Sequence, residues 1–237
     1  MIYSELLKKL ENSFIEFRNS LKENEKFNSK ILYYYELALE NIKNNNQEVA
    51  VVLLCTIIET LAKKKDNLKH IEFYDWIVNK EILEKFSEEF KSDDKKAVIC
   101  KYKEMYLNDY GATRKFVNII LDTYKVLGGV PDYIANWKTE MINGIKTSMP
   151  RKMEEQNEDV LKKDFEKDIK QIYSEYRSKF IHEGKFIPFD ARINTLTGGT
   201  SQPQSISIQQ IAGIVLQVIK HNLQQQANAT ETPRQKA

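Results

Sequence analysis

The chain has 237 residues, of which 41% are hydrophobic and 30% are charged, and its net charge is only +2. This length fits one large domain, or a core domain with a substantial insertion. So small a net charge makes the electric field of the whole molecule a weak argument for nucleic-acid binding, although a local basic patch stays open. Glycine and proline are scarce, with 8 and 5 copies, which favours an all-α protein.

The sequence patterns do not favour a transmembrane helix, a signal peptide or a metal site. The longest apolar run, Val49–Ile58, falls far short of the roughly 20 residues that span a bilayer. Met1–Leu10 has no apolar core long enough for a signal peptide. Cys55 and Cys100 lie within apolar helical patterns and form no metal-ligand spacing. We therefore expect a cytoplasmic protein with two buried thiols, no metal site, no cofactor and no membrane contact.

Residues 1–64 are predicted to form the N-terminal helices of a core bundle. Apolar residues at steps of three and four predict helices at Ile2–Leu21, Ser29–Lys43 and Glu48–Lys64. The third helix is apolar almost all round, which is typical of a helix buried on several sides. Glu59 is its exception, and a buried carboxylate needs a cation or hydrogen bonds. Two partners stay open: Arg177, or Lys63 one turn further along the same helix.

Residues 65–150 are predicted to be a helical insertion between the core helices. Their shorter patterns predict helices at Ile71–Asn79, Glu81–Lys91, Asp94–Asn108, Thr113–Leu127 and Tyr133–Asn143. Aromatic residues predict a second small core in this segment, formed by Phe73, Tyr74, Trp76, Tyr106, Phe116 and Trp137. The segment contains neither a glycine-rich phosphate loop nor a metal-ligand cluster.

Residues 151–224 are predicted to supply the C-terminal core helices. One long helix begins at about Glu158 and ends just before Gly184, since helices commonly stop at a left-handed glycine, and a last helix covers Ile208–Leu223. Between them, Ala191–Ser205 has the most loop-like composition in the chain. Residues 225–237 have almost no apolar side chains and are predicted to be a disordered tail.

The candidate site lies at the end of the long helix, in Tyr173–Gly184 (YSEYRSKFIHEG). Steps of about 100° per residue put Ser178 and His182 on one face, and Arg177 about 140° from His182. The long Arg side chain, or a distorted last turn, would bring the two together. Such a pair suits phosphoryl chemistry on RNA, because imidazole titrates near neutral pH and guanidinium binds phosphate. The alternative is that His182 only caps the helix dipole.

The segment Arg177–His182 resembles the R-x4-6-H signature of the HEPN superfamily, and an acidic residue and a glycine follow it, as in many members. The helix Ala50–Ala62 (AVVLLCTIIETLA) is similar to the earlier core helix of that family, with Ile58-Glu59-Thr60-Leu61 in place of its LE-x-L pattern. The combination resembles the Apea-like branch most. The resemblance covers about Ser29–Lys64 and Val160–Leu223, and it implies an HEPN-like helical bundle.

The resemblance also implies a function: a metal-independent endoribonuclease of a defence or toxin-type system. Active members cut RNA at a composite site in a homodimer, and the resemblance leaves open a partner protein of a defence or toxin–antitoxin system. His182 would transfer protons, Arg177 would position the scissile phosphate, and Glu59 would orient Arg177. Ser178 stands where many active members have Asn, Asp or His. The alternative is a non-catalytic module for dimerisation and for partner or RNA binding, in which Arg177 and Glu59 form a structural ion pair.

Overall fold

The computed structural model describes residues 2–21, 26–64, 73–91, 94–142, 145–152, 157–184 and 206–231. Within these ranges the protein is an all-α helical bundle with one short β-hairpin. The predicted loop Ala191–Ser205 lies outside the described residues. No helix in the described ranges is long and apolar enough to cross a bilayer.

The helices follow the predicted order closely. In chain order they are α1 (Ile2–Ser20), α2 (Lys26–Lys43), α3 (Gln47–Lys64), α4 (Phe73–Ile77), α5 (Lys80–Glu89), α6 (Lys95–Tyr110), α7 (Ala112–Leu127), α8 (Asp132–Asn136), α9 (Glu158–Gln171), α10 (Lys179–Glu183) and α11 (Ile208–Glu231). A π-helical segment, Ile172–Ser178, joins α9 to α10 and is called the π segment below. The hairpin consists of β1 (Trp137–Ile142) and β2 (Ile145–Pro150).

Helix α3 lies at the centre of the main bundle, which consists of α1, α2, α3, α7, α8, α9, the π segment and α11. It packs against α2, α7, α11 and the π segment. Leu54, Ile57 and Ile58 are fully buried, as the nearly all-round apolar pattern predicts. The Tyr35 hydroxyl of α2 donates to the carbonyl of Ala212 in α11 at 2.9 Å, so this buried phenol is satisfied.

Helices α4, α5 and α6 form a separate small core, called the aromatic cluster. Its buried members are Trp76, Val98 and Tyr102, with six partly buried residues packed around them. Of the residues expected in a second core, Phe73, Trp76 and Tyr106 belong to the cluster. Phe116 instead lies in the core of the main bundle, and Tyr74 is 73% exposed. The side chain of Trp137 lies outside the described residues.

The segment 65–150 is therefore not one uniform insertion. Helix α7 packs on α3, α9 and α11, and it contributes Val117 and Ile119 to the main core. Two ion pairs also join α9 to α7 and to the residue that follows β2. Arg114 of α7 contacts Glu166 at 2.7 Å, and the buried Arg151 contacts Asp164 at 2.7 Å.

Three further sequence predictions need correction. The predicted helix Tyr133–Asn143 ends at Asn136, and strand β1 replaces its second half, paired antiparallel with β2. The predicted tail starts later than residue 225, because α11 continues through Glu231, and the residues after it lie outside the description. Cys55 is buried as expected, but Cys100 is exposed. On α6, Val98 and Tyr102 pack in the aromatic cluster, and Cys100, two residues from each, lies on the other side of the helix.

Candidate functional site

A cleft of about 700 Å³ opens between α3, the junction of α6 and α7, the π segment and α10. All four residues predicted for the site lie in its wall: Glu59, Arg177, Ser178 and His182. The rest of the lining consists of Ala62, Lys63, Leu107, Gly111, Ala112, Thr113, Lys115, Phe116 and Tyr173. Tertiary packing thus brings residues separated by more than a hundred positions into one concave surface.

Glu59 and Arg177 form a two-point ion pair across the wall of the cleft. Arg177 Nη2 donates to Glu59 Oε2 at 3.2 Å, and Arg177 Nε lies 2.8 Å from Glu59 Oε1. Oε1 accepts no well-aligned hydrogen bond from the described residues, so its contact with Nε is chiefly charge–charge. Of the two partners that the sequence left open for Glu59, the structure selects Arg177.

The ion pair is mostly shielded from water, yet its guanidinium still reaches the cleft. The side chain of Arg177 is 26% exposed and that of Glu59 is 21% exposed. The Arg177 guanidinium also lies over the ring of Tyr173, with 5.6 Å between its carbon and the ring centroid. A cation over an aromatic face is attracted by the ring quadrupole. Arg177 is therefore held from two sides, by Glu59 and by Tyr173.

Neutral groups lie beneath the ion pair. Burial raises the pKa of Tyr173 to about 12, and the adjacent Glu59 carboxylate adds to the shift. Burial, followed by the charge of Glu59, also raises the pKa of the Cys55 thiol. Both groups consequently keep their protons at neutral pH. The charge in this part of the wall is carried by Glu59 and Arg177.

The π segment changes which residues of the long helix share a face. In an α-helix, Tyr173 and Ser178 would lie about 140° apart. In a π turn the hydrogen bonds run between residues five positions apart, so these two follow one another along the axis. Tyr173, Arg177 and Ser178 accordingly all line the cleft. A distortion is present, but it spans Ile172–Ser178 and is not in the last turn before Gly184, where the sequence suggested it.

His182 completes the wall from α10, one α-helical turn after Ser178. It is exposed to solvent, and the helix ends one residue later at Glu183, followed by Gly184, whose φ of 64° is left-handed. This glycine ends the helix as the sequence predicted. An exposed imidazole at the rim of a cleft can reach a ligand that binds there.

The opposite wall is formed where α6 meets α7, and it depends on one glycine. Gly111 is buried, and a Cβ at this position would lie 2.3 Å from the carbonyl oxygen of Leu107. Only glycine therefore allows α7 to begin directly after α6. The first turn of α7 carries no acidic residue, and it places Thr113 and Lys115 in the cleft.

No group of three His, Cys, Asp or Glu side chains that could hold a metal ion occurs in the described ranges. Tyr173, Lys115 and Gly111 also line the cleft, and none of them is among the residues predicted for the site from the sequence. Tyr173 stands four residues before Arg177, so local spacing could have indicated it. Lys115 and Gly111 join the site only through the packing of α7 on α3.

Comparison with known proteins identifies no relative for this fold and site. A scan against protein families, a search of curated proteins and a search of solved structures each gave no match.

Proposed function

We propose that this protein is a metal-independent, HEPN-like endoribonuclease of a defence or toxin-type system, acting on RNA as a cytoplasmic homodimer. One observation carries the proposal. Arg177 is fixed by Glu59 in the wall of a cleft that the exposed His182 also lines. A fixed guanidinium and a titratable imidazole are the two groups needed to bind a phosphodiester and to move its protons.

The proposed reaction uses the ribose 2′-hydroxyl as the nucleophile. Its oxygen attacks the adjacent phosphorus, the bond to the 5′-oxygen breaks, and a 2′,3′-cyclic phosphate and a 5′-hydroxyl result. One proton leaves the 2′-oxygen and one is added to the 5′-oxygen. In a two-fold dimer, two copies of His182 supply the base and the acid for these transfers. Ser178 is a neutral donor beside them.

Arg177 acts in this scheme by binding the phosphate and its developing negative charge. Glu59 contacts Nε and Nη2, which leaves the Nη1 side of the planar fork for a phosphate oxygen. No carboxylate is paired with Nη1 in the described part of the chain. Because Glu59 and Tyr173 hold the guanidinium in place, little reorganisation is needed when the substrate binds.

The proposed dimer accounts for apolar side chains exposed around the cleft. Ile181, the neighbour of His182, is 50% exposed, and Leu107 in the opposite wall is 47% exposed. Burying both against a second copy would bring two clefts together. A solution mass of about one chain at micromolar concentration, in protein that still cuts RNA, would rule out the dimer.

The decisive experiment measures cleavage of a labelled single-stranded RNA in the presence of EDTA. We expect the wild type to cut and to leave a 2′,3′-cyclic phosphate, and we expect no cleavage where the scissile ribose lacks its 2′-hydroxyl. His182→Ala should lower the rate by about 10²–10⁴-fold, because it removes the proton-transfer group. Its melting temperature should stay unchanged, since the side chain is exposed.

Lys167→Ala, an exposed α9 variant outside the cleft, serves as the matched control and should cut like the wild type. Cleavage that disappears with EDTA and returns with added Mg²⁺ would contradict the metal-independent mechanism. A His182→Ala protein that cuts at the wild-type rate would contradict the role of His182.

A second function is favoured by the same ion pair: a non-catalytic HEPN-like module for dimerisation and for partner or RNA binding, with Glu59–Arg177 purely structural. Both functions predict that Arg177→Ala destabilises the fold, by about 1–3 kcal/mol for a partly shielded pair. The two functions differ in the effect that they predict for His182→Ala. A wild type that binds RNA without cutting it, and an H182A variant that behaves identically, would establish the second function.

A further inference from the structure

Two lysines from different helices line the same cleft as Arg177 and His182. Lys63 stands near the end of α3, and Lys115 lies in the first turn of α7. Lys63 is exposed, and Lys115 is partly exposed. Neither residue belongs to the Arg–His pair or to its supporting carboxylate. The proposed reaction therefore leaves both without a role.

Neither lysine is neutralised within the described part of the chain. The carboxylate in the cleft wall, Glu59, is occupied by Arg177 at 2.8 Å and 3.2 Å. Lysines elsewhere do have carboxylate partners, as in the pairs Lys9–Glu5, Lys101–Glu89 and Lys170–Glu166. Among the described residues, the cleft thus carries two positive charges without a paired carboxylate, on a protein whose net charge is only +2.

We propose that Lys63 and Lys115 form a phosphate-binding subsite that holds the RNA backbone beside the reacting phosphodiester. The inference rests on the proposed function and adds how the substrate is held. Lysine ammonium groups act on phosphate as point charges, without the fixed fork of arginine. Such contacts set the position of the strand and carry no base preference. The subsite therefore selects a flexible, negatively charged strand and not a particular sequence.

The subsite is tested by the salt dependence of RNA binding, with His182→Ala in every protein so that the RNA stays intact. A fluorescein-labelled single-stranded RNA is titrated between about 50 and 200 mM salt. Each phosphate contact on a single strand contributes about 0.7 to the slope of log K against log salt. The pair of changes Lys63→Gln and Lys115→Gln should thus reduce the slope by about 1.4.

The matched control pairs Lys125→Gln with Lys163→Gln, two exposed lysines of α7 and α9 outside the cleft. It removes the same charge and should leave the slope near that of the parent protein. With His182 intact, the Lys63 and Lys115 changes should raise KM and leave kcat nearly unchanged. Cleavage of RNA with a normal slope and a normal KM would overturn the subsite while leaving the ribonuclease proposal standing.

A second probe, inorganic tripolyphosphate, tests the subsite without RNA. It should raise the melting temperature of the wild type and of the Lys125/Lys163 control, but not that of the Lys63/Lys115 variant. If the protein neither binds nor cuts RNA and this lysine-dependent shift is present, the proposed function fails and the phosphate subsite holds. If RNA binding is absent and tripolyphosphate stabilises all proteins equally or none of them, the subsite is overturned.

Discussion

The main bundle and the aromatic cluster differ in how completely their apolar side chains are buried. Around α3, long aliphatic side chains such as Leu54, Ile58 and Ile219 are almost completely buried. In the aromatic cluster only Trp76, Val98 and Tyr102 are buried, and the other rings stay partly exposed. Since hydrophobic stabilisation scales with the apolar area removed from water, the cluster should open before the bundle does.

This difference matters because the cleft lies where the two regions meet. One wall belongs to α3 and the π segment, deep in the main bundle, and the other contains Leu107 and Gly111 at the end of α6. Helix α6 reaches the bundle through α7. The Arg177 side of the site therefore rests on the main bundle alone, whereas the opposite wall combines the start of α7 with the end of α6, which belongs to the less buried region.

The largest effect is expected in the main bundle. Leu54→Ala should lower the free energy of unfolding by about 2–5 kcal/mol, because it leaves a cavity in a fully packed core. Urea unfolding followed by circular dichroism measures this loss. A change below about 0.5 kcal/mol would mean that α3 is not central to the core.

A substitution in the aromatic cluster should destabilise α4–α6 and leave the main bundle unchanged. The Phe86 ring lies 5.0 Å from Phe90 and 5.1 Å from Tyr102, centroid to centroid. Phe86→Ala should cost about 2–3 kcal/mol within the cluster, less than a fully buried ring would cost. Amide hydrogen exchange should accelerate in α4–α6 and stay slow in α3 and α11. Equal acceleration in both regions would show that they unfold as one unit.

Gly111 tests the junction between the two regions. Gly111→Ala forces a Cβ against the Leu107 carbonyl and should cost about 1–3 kcal/mol as an overpacked position. Gly129→Ala is the control, because no atom lies within 4 Å of a Cβ there. Thermal unfolding of both variants measures the difference. Equal melting temperatures would mean that α6 can shift freely relative to α7.

The smallest effect concerns the alkaline stability of the main bundle. Burial raises the pKa of Tyr173 from its ordinary 10.0 to about 12. The unfolded chain loses this proton at lower pH than the folded one, so stability falls as pH rises from 10.0 toward 12. Tyr173→Phe should flatten part of this decline, measured by urea unfolding across the range. The exposed Tyr33→Phe variant should decline like the wild type.

Local patterns in the sequence predicted most of the helices because each one depends on residues three and four positions apart. The hairpin was missed, although Asn143–Gly144 between Ile142 and Ile145 is a strong hairpin signal. The strand register pairs Ile142 with Ile145. The spacing of apolar residues in Tyr133–Asn143 predicted a helix there instead.

The sequence by itself determined the all-α class, the nearly all-round apolar helix α3 with Glu59 inside its apolar stretch, and the position of the Arg–His motif near a helix end. It left the partner of Glu59 open, since Lys63 is a local neighbour and Arg177 is 118 residues away. In the tertiary structure Arg177 is the ion-pair partner of Glu59. The tertiary structure also decided the π segment and the lysine-lined cleft, because both depend on how α3, α7 and the long helix pack together and not on neighbours along the chain.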